Sequence, residues 1–271
     1  KDGDFAMIFG YPGGTNRYEI SYGIKLKNEI DNPSLVHLRD IRLKFMHQEM
    51  IKDPAVKLKL AESYASIANY YKFYDGETRQ LEKYHVYENK QAAENKFEEW
   101  AKDKPEYQNV LSDYQKNYGA WTPYAKQRVY LYEGILGSPL IAYDSSLISL
   151  ERALTQQGKT QADVNKALAA ANAKRKTFLE KENLVSDKEI VAATAMMFYT
   201  DIDKDQQPFG FYQGIKDKFG SLNDEATFKA WSNFVFGNTM ILDSAKWAAF
   251  SANPDAVTLQ SDPAFAYASA F

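Results

Sequence analysis

Leu35-Val36-His37-Leu38-Arg39-Asp40-Ile41-Arg42-Leu43-Lys44-Phe45-Met46-His47-Gln48-Glu49-Met50 is the stretch whose pattern decides the fold class. Large apolar side chains recur at Leu35, Leu38, Ile41 and Phe45, then Met46 and Met50, with charged residues between them. Steps of three and four mark a helix with one buried face, not the alternation of a half-buried strand. The helical period sets in near Glu29 and is interrupted at Asp53-Pro54, because proline suits the first turn of a helix and not its interior. A second helix is expected over residues 54–73, ended by Asp75-Gly76.

The same period continues outward. Residues 78–102 predict a third, highly charged helix with Leu81, Val86, Ala93, Phe97 and Trp100 available for packing. Residues 107–136 predict a long helix broken or kinked at Trp121-Thr122-Pro123. Residues 145–157 and 160–182, the latter with an alanine-rich run, predict a helical hairpin around Gly158. Ser186-Asp187-Lys188-Glu189 reads as a capping box opening a helix that runs to about Tyr199, and further helices are expected from Asp224 and near Thr239. Residues 199–220 carry Asp201, Asp203, Asp205, Pro208, Gly210 and Gly214 and predict a loop. At the other end, residues 4–10 are a short apolar run that meets Tyr11-Pro12-Gly13-Gly14-Thr15, which predicts one strand ending in a sharp turn. The expectation is a mainly α, irregular multi-helix domain with a short N-terminal strand, and no fixed-period repeat.

The 271 residues are 45% hydrophobic and 25% charged, enough to bury a sizeable core. Aromatic residues reach 14%, with 19 Tyr, and suit helices that pack on one another. A net charge of −3 and a pI near 5.8 give no cationic footprint for nucleic acid or anionic lipid. Cysteine is absent, which excludes disulfides, thiolate metal sites and thiol nucleophiles. No apolar run is long enough to span a bilayer. The chain opens Lys1-Asp2-Gly3-Asp4, with neither an initiator Met nor a signal-peptide pattern, so a piece of a longer protein is expected.

Few local motifs carry chemistry. Asp201, Asp203 and Asp205 have the spacing that opens a calcium loop, but Gln206 replaces the turn glycine and Tyr212 the closing glutamate, so a solvated acidic loop is expected and no metal. Gly137-Ser138-Pro139 superficially suggests a nucleophilic serine; a helix N-cap followed by proline in the first turn accounts for it better. His37, His47 and His85 sit in charged helical segments without metal-ligand spacing, and no cofactor is expected. Asn69 stands inside a helical run, Tyr64-Ala65-Ser66-Ile67-Ala68-Asn69-Tyr70-Tyr71-Lys72, where asparagine is a poor interior residue.

Three stretches together resemble a known family. They are Gly3-Asp4-Phe5-Ala6-Met7-Ile8-Phe9-Gly10-Tyr11-Pro12-Gly13 with Thr15-Asn16-Arg17-Tyr18; Glu29-Ile30-Asp31-Asn32 through Arg39-Asp40-Ile41-Arg42 to Glu49-Met50; and Tyr64-Ala65-Ser66 with Asn69-Tyr70-Tyr71-Lys72. Tyr124-Ala125-Lys126-Gln127-Arg128-Val129-Tyr130 is a looser echo. The chain resembles the bacterial dipeptidyl-peptidase 7 and dipeptidyl-peptidase 11 type serine peptidases. One departure is Gly14, where the family commonly has Arg.

The resemblance implies a chymotrypsin-type double β-barrel with a large helical domain inserted between its halves. Residues 1–25 would end the first barrel and residues 26–271 would be most of the insertion. The family's catalytic His and Asp precede the matched segment and its Ser follows in a Gly-Asn-Ser-Gly-Ser-Pro run; neither context occurs here, so no catalytic residue is assigned and the fragment alone is expected to be inactive. The residue that helps hold the free α-amino group of the substrate falls on Asn69. The implied partners are an oligopeptide substrate and the two barrels of its own chain, in an exported, periplasmic or cell-surface parent that is a homodimer. The rival reading is a non-catalytic helical module that holds peptide or glycan on its aromatic surface.

Overall fold

The computed structural model describes residues 3–5, 7, 14 and 16–271. The expected strand over residues 4–10 and the turn after it lie largely outside the described residues, and no strand occurs among those described. Everything from Ser21 onward is helix or short connection, as the 3.6-residue periodicity requires.

The first helix, α1 (Ser21–Leu26), has no side-chain cap of its own. The carboxylate of Glu94 takes that role, accepting from Ser21 N at 2.6 Å and Ser21 Oγ at 2.5 Å. The helix continues without a break through a π-helical stretch, Lys27–Asp31, into α2 (Asn32–Met50). The widened turn comes just before Pro33, which brings no N–H to the ladder. Asp53 then caps α3 (Pro54–Lys83), its Oδ1 accepting from Ala55 N at 2.8 Å. Helices α2 and α3 pack along each other, closed at one end by Met46, Met50, Leu60 and Ile67 together with Ile190.

Helix α4 (Val86–Ala101) returns across α1 and α3, and α5 (Val110–Val129) packs on α1 before running into a second π stretch, Tyr130–Ile135. The remaining helices form the larger core: α6 (Pro139–Ser145), α7 (Ile148–Thr155), α8 (Gln161–Lys181), α9 (Leu184–Asp201), α10 (Phe209–Phe219), α11 (Glu225–Asn238), α12 (Ser244–Ala252), α13 (Ala256–Ser261) and α14 (Pro263–Ala270). Helix α9 is buried or half-buried along nearly all its length and sits centrally, touching α2, α11 and the second π stretch. Gly134 lets that stretch approach closely: a Cβ there would stand 3.2 Å from Leu38 and 3.7 Å from Thr194.

Several sequence expectations change. Helix α3 does not end at Asp75-Gly76 but runs on to Lys83, because Asn32 bonds Glu77 and Thr78 from the neighbouring helix and an Arg79–Asp75 pair supports the turn. The helix expected from residue 78 is therefore split at His85, whose φ of 48° breaks the ladder. Helix α5 stays helical through Pro123. Residues 139–157 form two helices, α6 and α7, not one from residue 145. The capping box at Ser186 is replaced by Asn183, whose Oδ1 accepts Ser186 N at 2.8 Å, so α9 starts at Leu184. The loop expected over residues 199–220 contains α10, since Phe211, Tyr212 and Ile215 find apolar partners that only a helix can present together. The hairpin around Gly158 forms, with φ at 81° in the turn and a capping box at Thr160 and Asp163.

Candidate functional site

Asn69 stands in the middle of α3, on its exposed side. It lies two residues beyond buried Ile67, roughly 200° around the helix from the face that packs on α2. Its carboxamide makes no hydrogen bond to the rest of the described chain, which leaves the side-chain oxygen open as an acceptor. Exposed aromatic surface borders it: Tyr70 is 48% exposed and Phe73, one turn on, 53%.

Phe73 and the neighbouring Tyr74 lead into a cleft of about 570 Å³ bounded by Asp31, Glu77, Lys27 and Lys90 and by the segment that enters α1. The cleft mixes acidic and basic groups. Burial holds the Asp31 carboxyl above the usual carboxylate range, against the pull of Arg128 and Lys27. Burial also raises the Tyr74 phenol, with Arg39 acting in the opposite direction.

Behind this surface lies an ionic group that sequence reading did not single out. Arg39, buried on α2, reaches Glu133 Oε1 at 2.5 Å, and Arg42 reaches Glu133 Oε2 at 3.2 Å. The Arg39 guanidinium also lies over the rings of Tyr70 and Tyr74. Arg39, Arg42 and Tyr70 all fall inside stretches that carry the family resemblance. Glu133 is 94 residues from Arg39 in sequence, and no local signal joins them.

The other candidates do not assemble into a site. Ser138 is fully buried and caps α6, its Oγ accepting from Ile141 N at 3.3 Å, as expected of an N-cap. His37 and His47 are exposed on α2, and His85 is exposed at the start of α4. Asp201 accepts from Tyr130 Oη at 2.7 Å and Asp203 and Asp205 are exposed; among the described residues no three His, Asp or Glu side chains form a metal-binding group. No described helix is long and apolar enough to cross a membrane.

Comparison with known proteins places the chain in a family. A family model described as Peptidase S46 matches residues 1–271. An Asp/Glu-specific dipeptidyl-peptidase of Capnocytophaga gingivalis is 32% identical over 208 residues, covering 75% of this chain and 29% of that protein. Dipeptidyl-peptidase 7 of Porphyromonas gingivalis is 28% identical over 271 residues, covering 97% of this chain and 36% of that protein. The crystal structure of Porphyromonas endodontalis DPP11 in complex with the dipeptide Arg-Glu has the same fold over 96% of this chain and 37% of that one, with a TM-score of 0.76 at 22% identity. The chain thus spans about a third of the length of the relatives it matches.

Proposed function

The chain belongs to the peptidase S46 family, and from that premise we propose that it is the helical, substrate-covering domain of a serine-type dipeptidyl aminopeptidase. In this reading Asn69 receives the free α-amino group of a peptide, while the serine, its histidine base and the orienting aspartate come from the two barrels on either side of residues 26–271. Residues 1–25 end the first barrel, and α1 forms the junction. The same proposal carries an exported parent, periplasmic or cell-surface, that assembles as a dimer.

The observation that carries it is the state of Asn69: an unengaged carboxamide on a helix, beside exposed aromatic surface and one turn from the cleft at the start of α1. An ammonium offers only donors, and a helix fixes an acceptor oxygen better than a loop does. An acceptor placed two residues ahead of the cut would turn an endopeptidase cleft into one that releases dipeptides, since longer N-terminal extensions would lose the contact or collide. Phe5 and Met7 at the N-terminal end are 91% and 67% exposed, which suits burial against further barrel structure. Family membership favours this over a non-catalytic peptide- or glycan-binding module.

The test uses the full-length parent and a fluorogenic peptide with a free N-terminus, with an N-acetylated peptide as control. Asn69→Ala should lower kcat/KM about tenfold or more with unchanged stability, the cost of one hydrogen bond to a charged group. A variant equal to wild type removes the anchor; a parent that releases no dipeptide removes the enzyme reading. The flanking coding sequence gives an independent check, with a histidine expected upstream and Gly-Asn-Ser-Gly-Ser-Pro downstream.

A further inference from the structure

Past Ile67, two residues before Asn69, α3 has no buried apolar side chain to hold it. Along the whole helix only Leu60 and Ile67 are buried, and both come before Asn69. The next fixed point is Asn32, whose Nδ2 donates to Glu77 Oε2 at 3.0 Å and to Thr78 Oγ1 at 3.1 Å, two turns beyond. Between these points the helix is gripped through its aromatic rings. The Arg39 guanidinium carbon lies 5.4 Å from the Tyr70 ring centroid and 5.6 Å from that of Tyr74, and the two rings stack on each other at 6.1 Å with 28° between their planes.

Arg39 is itself fixed from behind. Its Nη2 reaches Glu133 Oε1 at 2.5 Å, and the other Glu133 oxygen receives Arg42 Nη1 at 3.2 Å. Glu133 stands in the π stretch Tyr130–Ile135, which packs against both α2 and α9. A planar guanidinium can pair with a carboxylate along one edge while its face lies on an aromatic ring, which an ammonium cannot do. The line Glu133, Arg39, Tyr70 therefore joins the central packing to the residue directly after Asn69.

We propose that Arg39 is a positioning residue for the substrate N-terminus: clamped by Glu133, it holds Tyr70 and so sets the angle at which Asn69 presents its carboxamide. This rests on the reading of Asn69 as the amine anchor. A binding group tolerates roughly 0.5 Å of misplacement, which a small rotation of an unsupported turn would exceed.

The experiment measures kcat and KM of the full-length parent on a fluorogenic dipeptide substrate with a free N-terminus. It compares Arg39→Met, Arg39→Lys, Tyr70→Leu, Asn69→Ala and the pairwise combinations of the first three with Asn69→Ala, with melting curves taken alongside. Arg39→Met should raise KM about fivefold to tenfold while kcat stays within about twofold, and Arg39→Lys should not restore it, because charge alone does not supply the stack. In the Asn69→Ala background neither Arg39→Met nor Tyr70→Leu should cost anything further. Effects that multiply in the double variants, or an unchanged KM in the singles, overturn the positioning role while leaving the anchor in place. A silent Asn69→Ala overturns both. Should Arg39→Met fail to fold, Tyr70→Leu decides the question alone, since its ring is half exposed.

Discussion

The backbone N–H of Leu140 donates to Asp187 Oδ2 at 3.0 Å, so a side chain from the first turn of α9 is tied to the first turn of α6. Asp187 is buried, and its other oxygen has no hydrogen-bond partner among the described residues. Burial pushes its carboxyl from 3.8 up to about 7, with the Ser138 hydroxyl and the Leu140 N–H pulling the other way. The folded chain then keeps a proton that the unfolded chain has lost, so stability falls as pH rises from about 4 to about 7 and levels off above. Buried Asp144 is raised in the same direction, by burial first and then by Asp262 and Asp187. Asp187→Asn keeps an acceptor for Leu140 and removes the titration. Urea unfolding at pH 5 and pH 8 should show a wild-type loss of roughly 2–4 kcal/mol across that range and a clearly smaller loss in the variant. Equal losses would mean that Asp187 is ionised in the fold at pH 5.

Asp262 performs two tasks from one buried carboxylate. It caps α14 by accepting from Ala264 N at 3.0 Å and Phe265 N at 3.3 Å, and it ties down the connection after α11 by accepting from Thr239 Oγ1 at 2.9 Å and Met240 N at 2.6 Å. Asp262→Ala strands several buried donors at once and should cost about 3–5 kcal/mol, read as a fall in the urea midpoint without a change in slope. Thr239→Val removes only the hydroxyl and should cost about 1–2 kcal/mol.

The Asp187–Leu140 and Asp262–Thr239 contacts join residues 47 and 23 apart and leave no local trace in the sequence. The helical class was plain in Leu35 to Met50, because one buried face imposes its period on neighbouring residues. A cap that acts within three residues was equally plain at Ser138, which accepts where expected, and the helix starts read at Pro54, Thr160 and Asp224 coincide with caps at Asp53, Thr160 and Asp224. Ser186 misled, because Asn183 offered a competing cap and Asp187 was claimed by Leu140, 47 residues away. Residues 209–219 carry two glycines and follow a proline, and only the partners of Phe211, Trp231 and Tyr267 among them, make the helix worth forming. Asn69 was visible as an oddity in a helix, whereas the Arg39–Glu133 pair behind it is a long-range contact with no local trace.

Gly76 and Gly137 show how far apart two glycines in this fold stand. Gly76 lies inside α3, and a Cβ built there meets nothing within 4 Å. Gly76→Ala should therefore stabilise the protein by about 0.5–1 kcal/mol, mainly by restricting the unfolded chain, and raise its melting temperature by about 1–4 °C. A Cβ on Gly137 would stand 2.0 Å from the Glu133 carbonyl oxygen and 3.3 Å from Arg42 Nη1. The first of these is backbone, so the π turn itself would have to move. Gly137→Ala should cost about 2 kcal/mol or more, and because Glu133 holds Arg39 the damage should spread to the Tyr70 turn. Hydrogen exchange in residues 66–74 reports this directly: faster exchange there in Gly137→Ala, and no change in Gly76→Ala, is the expected result. Faster exchange confined to the π turn would show that Glu133 keeps its grip on Arg39 after its backbone shifts.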